Sequence, residues 1–525
     1  MKIIIGDKEL YIENYRGKYL QQILQENNIY MSYPCHGNGT CGKCKIKVLS
    51  AMLPITKADA DVLSNSELEQ GIRLACKIYF SESLAEEIGS DLEIQFVETQ
   101  EENIVVESVG KENIVLPIEE KKCFLTIDIG TTTIAMALAD EDTGEIYDTY
   151  TSLNHQREYG ADVINRIKAS NEGRSAELKE IIEKDLWNGI GKYKDITKII
   201  IAGNTTMIHL LMGYSCEMLG RYPFISEHTN KIECNLKDIL IYIQGIGCLG
   251  RIPVIIFPGV SAFIGGDIVA GISYCQGFDT EELHLLVDLG TNGEMVLGNK
   301  NKLLAASTAA GPAFEGGNII CGTAGLPGSI CGIKIQNQRA VVKTIGNLYP
   351  PVGICGTGLV SAIAQLKENS LLDSYGKLKF PYGEKGYPLW TMENGQKLAL
   401  YQKDIREFQM AKAAIRAGVE MLMKEYGCKP EEIRHVYLAG GFGVNLSERD
   451  AVITGILPGE FEGKMEAVGN SALKGCLKYG KRTSKEKGKD SLEEEKTTQI
   501  IQRIQTVALA ENGPFMEKYL EYLNF

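Results

Sequence analysis

The 525-residue sequence has no apolar run approaching the ~18 residues that a membrane-crossing helix needs, so no membrane span is expected. It also lacks an excess of positive charge. Lysine and arginine number 55 against 68 aspartates and glutamates, and the net charge of −13 argues against a nonspecific grip on nucleic acid. A P-loop, GxxxxGK followed by Ser or Thr, is absent, and no GxGxxG opens a βαβ unit, which disfavours two common nucleotide folds. A secreted disulfide scaffold is not expected either. Of the 14 cysteines, four have metal-like spacing and the rest are scattered singly through apolar segments, so the sequence reads as cytoplasmic. What is present is a globular balance of 44% hydrophobic and 23% charged residues, in a chain long enough for three to four domains at roughly 150 residues each. Glycine is abundant. Its 56 copies suggest many places where backbone turns tightly or approaches a ligand.

Near the N-terminus, Lys2 to Ile5 and Leu10 to Ile12 read as strands around a turn at Gly6-Asp7, followed by an amphipathic stretch from Lys18 to Gln25 and a strand from Lys45 to Leu49. Between them lies a glycine-rich loop with Cys35, Cys41 and Cys44, and Cys76 follows after 31 intervening residues. Four thiolates suffice for an iron-sulfur cluster. They also suit tetrahedral zinc, although zinc more often takes its thiolates from two similar CxxC knuckles. Gly37, Gly39 and Gly42 allow the loop to fold round a cluster and aim backbone N–H groups at its sulfides. His36 reads as a loop residue rather than a ligand.

From Val97 to Lys122 the sequence carries seven glutamates without a sustained period, and reads as a solvated tether with short strands at Ile104–Val106 and Ile114–Leu116. An internal repeat follows. The strand Phe124 to Ile127 runs into Asp128-Ile129-Gly130-Thr131-Thr132, and 160 residues later Leu285 to Val287 runs into Asp288-Leu289-Gly290-Thr291-Asn292. Each copy reads as a hairpin whose tip offers hydroxyl and backbone donors to a phosphate, while Asp128 or Asp288 holds Mg2+ directly or through water. A second repeated element pairs Lys198 to Asn204 with Val436 to Gly443, each an apolar strand ending in Ala-Gly. In the later copy Gly440, Gly441 and Gly443 let a flat purine or ribose lie against backbone, with Asn445 near for a polar contact.

Other segments carry weaker signals. Glu315, in the loop Ser307 to Gly317, can position an attacking water or Mg2+, or serve only the loop. Asp267 can face a cleft or simply begin a helix. Asn204-Thr205-Thr206 reads as an anion-facing helix start or an ordinary cap, and His209 as a packed helix residue. Lys478 to Thr498 is a charged insertion or exposed helix, followed by an amphipathic Phe515 to Leu523.

The four-cysteine order resembles the 2Fe-2S ferredoxin domain, with five rather than four residues in the first gap. That match implies Cys35, Cys41, Cys44 and Cys76 as cluster ligands. The twin hairpins and apolar-AG strands resemble the actin, Hsp70 and sugar-kinase superfamily, whose two ribonuclease-H-like lobes close on ATP and Mg2+. Asp128 to Thr132 then match the first phosphate motif, Asp288 to Glu294 the second, Gly440 to Gly443 the adenosine side, and Ile354 to Leu359 the connecting helix, or else a simple helix start with tight packing. Nearly the whole chain resembles the reductive activators of corrinoid proteins. The expected architecture is therefore multidomain α/β: a β-grasp ferredoxin domain (1–92), a linker (93–122), a first lobe or middle domain (123–254) and a C-terminal ATP-binding body (255–525). The resemblance implies a homodimeric ATP-dependent reductase that takes an electron from a low-potential donor and converts the cob(II)alamin of a methyltransferase-associated corrinoid protein to cob(I)alamin. Two alternatives remain at this point: an ATP-gated activator of a radical dehydratase or reductase, and a redox-sensing ATP-binding scaffold without catalysis.

Overall fold

The computed structural model describes residues 2–5, 8–12, 15–26, 39, 42, 44–50, 53–63, 65–88, 91–96, 122–391, 395, 397–443, 446–481, 492–509 and 513–525. The expected turn at Gly6-Asp7, the residues Cys35, His36, Cys41 and Asn445, and the short strands expected at 104–106 and 114–116 lie outside the described residues. The chain divides into two compact units, one of residues 1–102 with 155–182, the other of 103–154 with 183–525. Among the described residues no helix is long and apolar enough to cross a membrane.

The first unit holds a five-stranded mixed sheet of β1 (Lys2–Ile5), β2 (Lys8–Tyr11), β3 (Lys45–Val48), β4 (Ile72–Leu74) and β5 (Asp91–Phe96), in the order β2-β1-β5-β3-β4. β1 and β5 run parallel and the other neighbours antiparallel. In β3, alternation buries Ile46 and Val48 while Lys45 and Lys47 stay partly exposed, the period of two that marks a one-sided strand. The helix Leu20–Glu26 buries Leu20, Ile23 and Leu24 in the same core as Ile3, Ile46, Leu74, Phe80 and Leu92. This is the β-grasp arrangement of a ferredoxin.

The second unit contains the duplication. Its first sheet has the order β10-β11-β9-β6-β7-β8, from β6 (Cys123–Ile129), β7 (Thr133–Asp140), β8 (Ile146–Leu153), β9 (Ile196–Gly203), β10 (Ile232–Asn235) and β11 (Pro253–Ile256). The second is β21-β20-β12-β13-β14-β22, from β12 (Leu283–Leu289), β13 (Gly293–Gly298), β14 (Leu303–Thr308), β20 (Ile433–Ala439), β21 (Met465–Gly469) and β22 (Ile504–Thr506). Five strands repeat in the same relation: an antiparallel meander of three, a fourth parallel to the first, and a fifth parallel to the fourth. β6 and β12 are buried almost throughout, as expected where a sheet is covered on both faces, and each becomes partly exposed at the same place, Asp128 and Asp288. Smaller pieces, β15 (Ser329–Gln336) with β16 (Arg339–Thr344) and β17 (Gly353–Ile354), and β18 (Tyr387–Thr391) with β19 (Lys397–Leu400), are inserted after the second hairpin.

The helices Gly266–Tyr274 and Ser471–Gly480 pack against each other, the latter also against β6, β7 and β9. One core joins them to both sheets: Phe124 and Ile200 from the first, Ile268, Val269, Ala472 and Cys476 from the helices, Leu286 and Val296 from the second. Close approach explains the small residues. A Cβ on Gly475 would lie 2.0 Å from the Ala270 carbonyl oxygen, and one on Gly271 would lie 2.8 Å from Ser471 Oγ. The segment Ile354 to Leu359, expected as the connecting helix or a tightly packed helix start, leads into the helix Gly356–Glu368, which packs on β15 with Gly358 against the Ile330 carbonyl.

Candidate functional site

In the first unit, Cys44 and Cys76 are both buried, with Sγ atoms 3.3 Å apart. Local hydrogen bonding sets this pairing. Thr56 and Asp59 form a capping box for the helix Lys57–Val62, and the buried Asp59 uses its Oδ1 to accept from Leu74 N at 2.8 Å, fixing β4 just ahead of Cys76. Ala75 N donates to the Cys44 carbonyl at 2.8 Å, which draws the two cysteine segments together. Nearby, Gly39 (φ +74°) and Gly42 (φ +66°) take left-handed conformations, and a Cβ there would collide with Lys77 and Ala58 or with Val62. A pair of adjacent thiols beside two positions that require glycine, Gly39 and Gly42, is a donor set that fits a thiolate-bound iron cluster. The other two proposed ligands, Cys35 and Cys41, lie outside the described residues.

The second unit brings the two hairpins to one place. In the first, Gly130 N donates to Thr133 O at 2.9 Å, and in the second Gly290 N donates to Asn292 O at 3.1 Å, closing each tip. Thr132 Oγ1 donates to Glu315 Oε2 at 2.6 Å, while Thr291 donates through N to Oε1 at 3.0 Å and through Oγ1 to Oε2 at 2.9 Å. Asn204 caps the helix Thr205–Met212 and donates to Thr131 Oγ1 at 3.0 Å, tying that helix start to the first tip. His209 is a buried helix residue held by Ser215 O and Ser226 Oγ.

Acidic groups gather behind the tips. Burial, then the charge of Asp267, pushes the Asp128 carboxyl up to about 7 despite a hydrogen bond from Asn470. Burial, then Asp267, Asp128 and Glu315, raises Asp288 to about 8, and burial raises Asp267 itself to about 6. Glu294 is raised too, first by burial and then by Asp267 and Asp288, against a hydrogen bond from Asn292. Asp267 is both a first-turn helix residue, accepting from Ile268 N, and a member of this group. Repulsion of this kind is a cost that a bound cation would reduce. Among the described residues no group of three or more His, Cys, Asp or Glu side chains is placed to hold a metal ion by itself.

Gly440 sits against this group, since a Cβ on it (φ +88°) would meet Asp288 Oδ1 at 2.9 Å. Gly443 is packed on Leu438 O, Gly441 faces open space, and Phe442 between them stacks on Phe314 at 4.9 Å. Asn470 is a residue the sequence reading did not select. It caps the helix Ser471–Gly480 through Leu473 N and donates to Asp128 Oδ2 at 2.7 Å, a contact spanning 342 residues. Its one local signal is its place directly after the strand β21.

Residues 282–525 match the family model described as the C-terminal domain of RACo, the ASKHA domain; residues 123–280 match the RACo middle region; residues 3–81 match the 2Fe-2S iron-sulfur cluster binding domain. The corrinoid activation enzyme RamQ of Eubacterium limosum is 31% identical over 463 residues, 82% of this chain and 75% of that protein. A Co(II) methylated amine-specific corrinoid protein reductase of Methanosarcina barkeri is 28% identical over 381 residues, 66% of this chain and 68% of that protein. A solved reductive activator for a corrinoid, iron-sulfur protein aligns with a TM-score of 0.69 at 26% identity, covering 100% of this chain and 98% of that one.

Proposed function

The chain belongs to the family of ATP-dependent reductive activators of corrinoid proteins, and from that premise we propose how its residues divide the work. It is an ATP-dependent corrinoid protein reductase, with a 2Fe-2S domain at its N-terminal end and an ASKHA body that binds ATP. Cys35, Cys41, Cys44 and Cys76 hold the cluster, which supplies one electron at a time. Asp59 and the Ala75–Cys44 backbone bond position the two described thiols. Gly130, Thr131 and Thr132 on one hairpin and Gly290, Thr291 and Asn292 on the other receive phosphates. Asp128 and Asp288 hold Mg2+, directly or through water, and Asn470 keeps Asp128 oriented. Gly440, Gly441 and Gly443 lie against the adenosine.

The reaction adds one electron to cob(II)alamin in the partner and yields cob(I)alamin, and a low-potential donor restores the electron. Each ~59 mV of uphill potential costs a factor of ten for a one-electron step, which is the deficit that ATP offsets. The working unit is a homodimer in the cytoplasm, and the chain divides into a cluster domain (1–92), a tether (93–122), a middle domain (123–254) and an ATP body (255–525). The twofold hairpin array supports the nucleotide half and the 3.3 Å thiol pair supports the redox half; the convergence of both hairpin tips on one carboxylate carries the reading.

The test is anaerobic absorbance spectroscopy with ATP, a chemical reductant and a cob(II) corrinoid protein. Cob(I) should form with the full chain and fall at least about a hundredfold in Cys44→Ala, whose ATP binding stays intact. Iron analysis should give two irons per chain, and normal cob(I) formation by the variant would sink the relay.

A further inference from the structure

Glu315 has both carboxylate oxygens engaged by the hairpin tips: Oε1 by Thr291 N, Oε2 by the hydroxyls of Thr132 and Thr291. Thr132 follows β6 and Thr291 follows β12, so one side chain ties together the corresponding tips of the two repeated sheets. Hydrogen bonds to a carboxylate are charge-assisted, and three of them make it a good occupant of an anion site. A phosphate that took the same donors would lie in contact with the Glu315 charge, in a cleft where like charges repel strongly. The two anions therefore exclude each other. These bonds use three of the roughly four acceptor positions of the carboxylate.

The backbone around Glu315 is open on its Gly311 side and closely packed on its Gly316 side, where a Cβ would lie 2.2 Å from the Thr323 carbonyl oxygen. Glu315 ends a short turn, Pro312–Glu315, bracketed by Gly311 (φ +79°) and Gly316 (φ +77°), and a Cβ on Gly311 would meet nothing within 4 Å. Gly311 N is also bonded to Thr291 O, so the turn senses the second tip through its backbone. The preceding residue, Phe314, stacks on Phe442 of the Gly440–Gly443 turn and meets Phe408 of the helix Gln402–Tyr426 edge-on at 6.0 Å. Displacing Glu315 thus reaches the segment that faces adenosine and the long helix behind it.

We propose that Glu315 is an internal phosphate surrogate, holding the tip donors that the terminal phosphate of ATP uses, so that ATP expels it and releases the 311–316 turn while ADP does not. The proposal rests on the hairpins being the phosphate clamp. In full-length protein with Mg2+, Glu315→Gln should bind a nonhydrolysable ATP analogue about tenfold more tightly, because an anionic competitor for charge-assisted bonds is gone, and its ADP affinity should change less than about twofold. Glu315→Asp, which keeps the charge but shortens its reach, should fall between, and provides the measurement if the glutamine variant does not fold. Hydrogen exchange supplies a readout independent of catalysis: residues 311–323 should exchange slowly in the nucleotide-free wild type and speed up with the analogue, and should already be fast in Glu315→Gln. Analogue binding that is unchanged or weaker in both variants, an equal gain for ADP, or exchange indifferent to the analogue overturns the proposal. A wild type that binds no adenine nucleotide overturns the clamp reading beneath it, and is distinguished from a wild type that binds and variants that bind no better.

Discussion

At the scale of single residues, charge dominates. Asp288 ionises near the usual aspartate value in the unfolded chain but only at about 8 in the fold, because burial and the charges of Asp267, Asp128 and Glu315 oppose its anion. Between those two values the folded state binds more protons, so without Mg2+ this residue makes stability fall as pH rises from about 4 to about 8. Each unit of displacement is worth about 1.4 kcal/mol, so even a fraction of it exceeds about 1 kcal/mol. Asp288→Asn should therefore melt above the wild type at pH 8 in metal-free buffer, with the advantage shrinking toward pH 4. Adding Mg2+ and ATP should reverse the order, as the wild type gains a ligand that the variant binds poorly. Calorimetric scans at several pH values check both halves, and a difference independent of pH would refute the electrostatic account. Asp128 and Asp288 are legible in the sequence because each ends an apolar strand ahead of Gly-Thr and because the pattern occurs twice. Asn470 is not, since its partner lies 342 residues away and an asparagine at a helix start is already explained as a cap. For Glu315 the sequence shows a carboxylate in a loop without showing that donors of both hairpin tips reach it.

Secondary elements carry the next level of argument. The repeated strand order follows from the two hairpins and two apolar-AG strands, so most of the nucleotide-binding architecture can be read before any contact is known. The helix pair between the sheets cannot. Gly271 and Gly475 form no GxG pattern in their helices, whereas Gly356-Thr357-Gly358 looks like a close-packing signal and serves the approach of its helix to Phe314 and Ile330. A contact distance settles what spacing leaves open. Since a Cβ on Gly475 would sit 2.0 Å from a backbone oxygen of the facing helix, Gly475→Ala must push the helices apart, at a cost of about 1–3 kcal/mol. Gly271→Ala meets a serine hydroxyl at 2.8 Å, which can rotate away, so its cost should stay below about 1 kcal/mol. Urea unfolding ranks the two. The larger change should also weaken binding of an ATP analogue, because the helix Ser471–Gly480 begins at Asn470 and therefore sets the position of Asp128; equal effects of the two substitutions would count against this packing argument.

For the whole molecule the question is how a one-electron carrier and an ATP body act as one enzyme. The sequence order shows that they share a chain, and the acidic stretch between them reads as a tether. A tether, if residues 93–122 act as one, contributes by raising local concentration. A short link of that kind would hold its two ends at an effective concentration in the millimolar range, about a thousandfold above that of about 1 μM free protein. A protease site inserted near residue 110 separates this contribution from catalysis. Before cleavage the variant should reduce the corrinoid protein as the wild type does. After cleavage, nucleotide binding and hydrolysis should persist, because the residues proposed for them all lie between 128 and 470, while cob(I) formation should fall steeply and recover in proportion as the cleaved protein is concentrated. Reduction that survives cleavage undiminished at micromolar concentration would mean that the cluster domain is held by an interface of its own. The tether would then be a connection without a kinetic role, and nucleotide control of electron delivery would have to act through that interface.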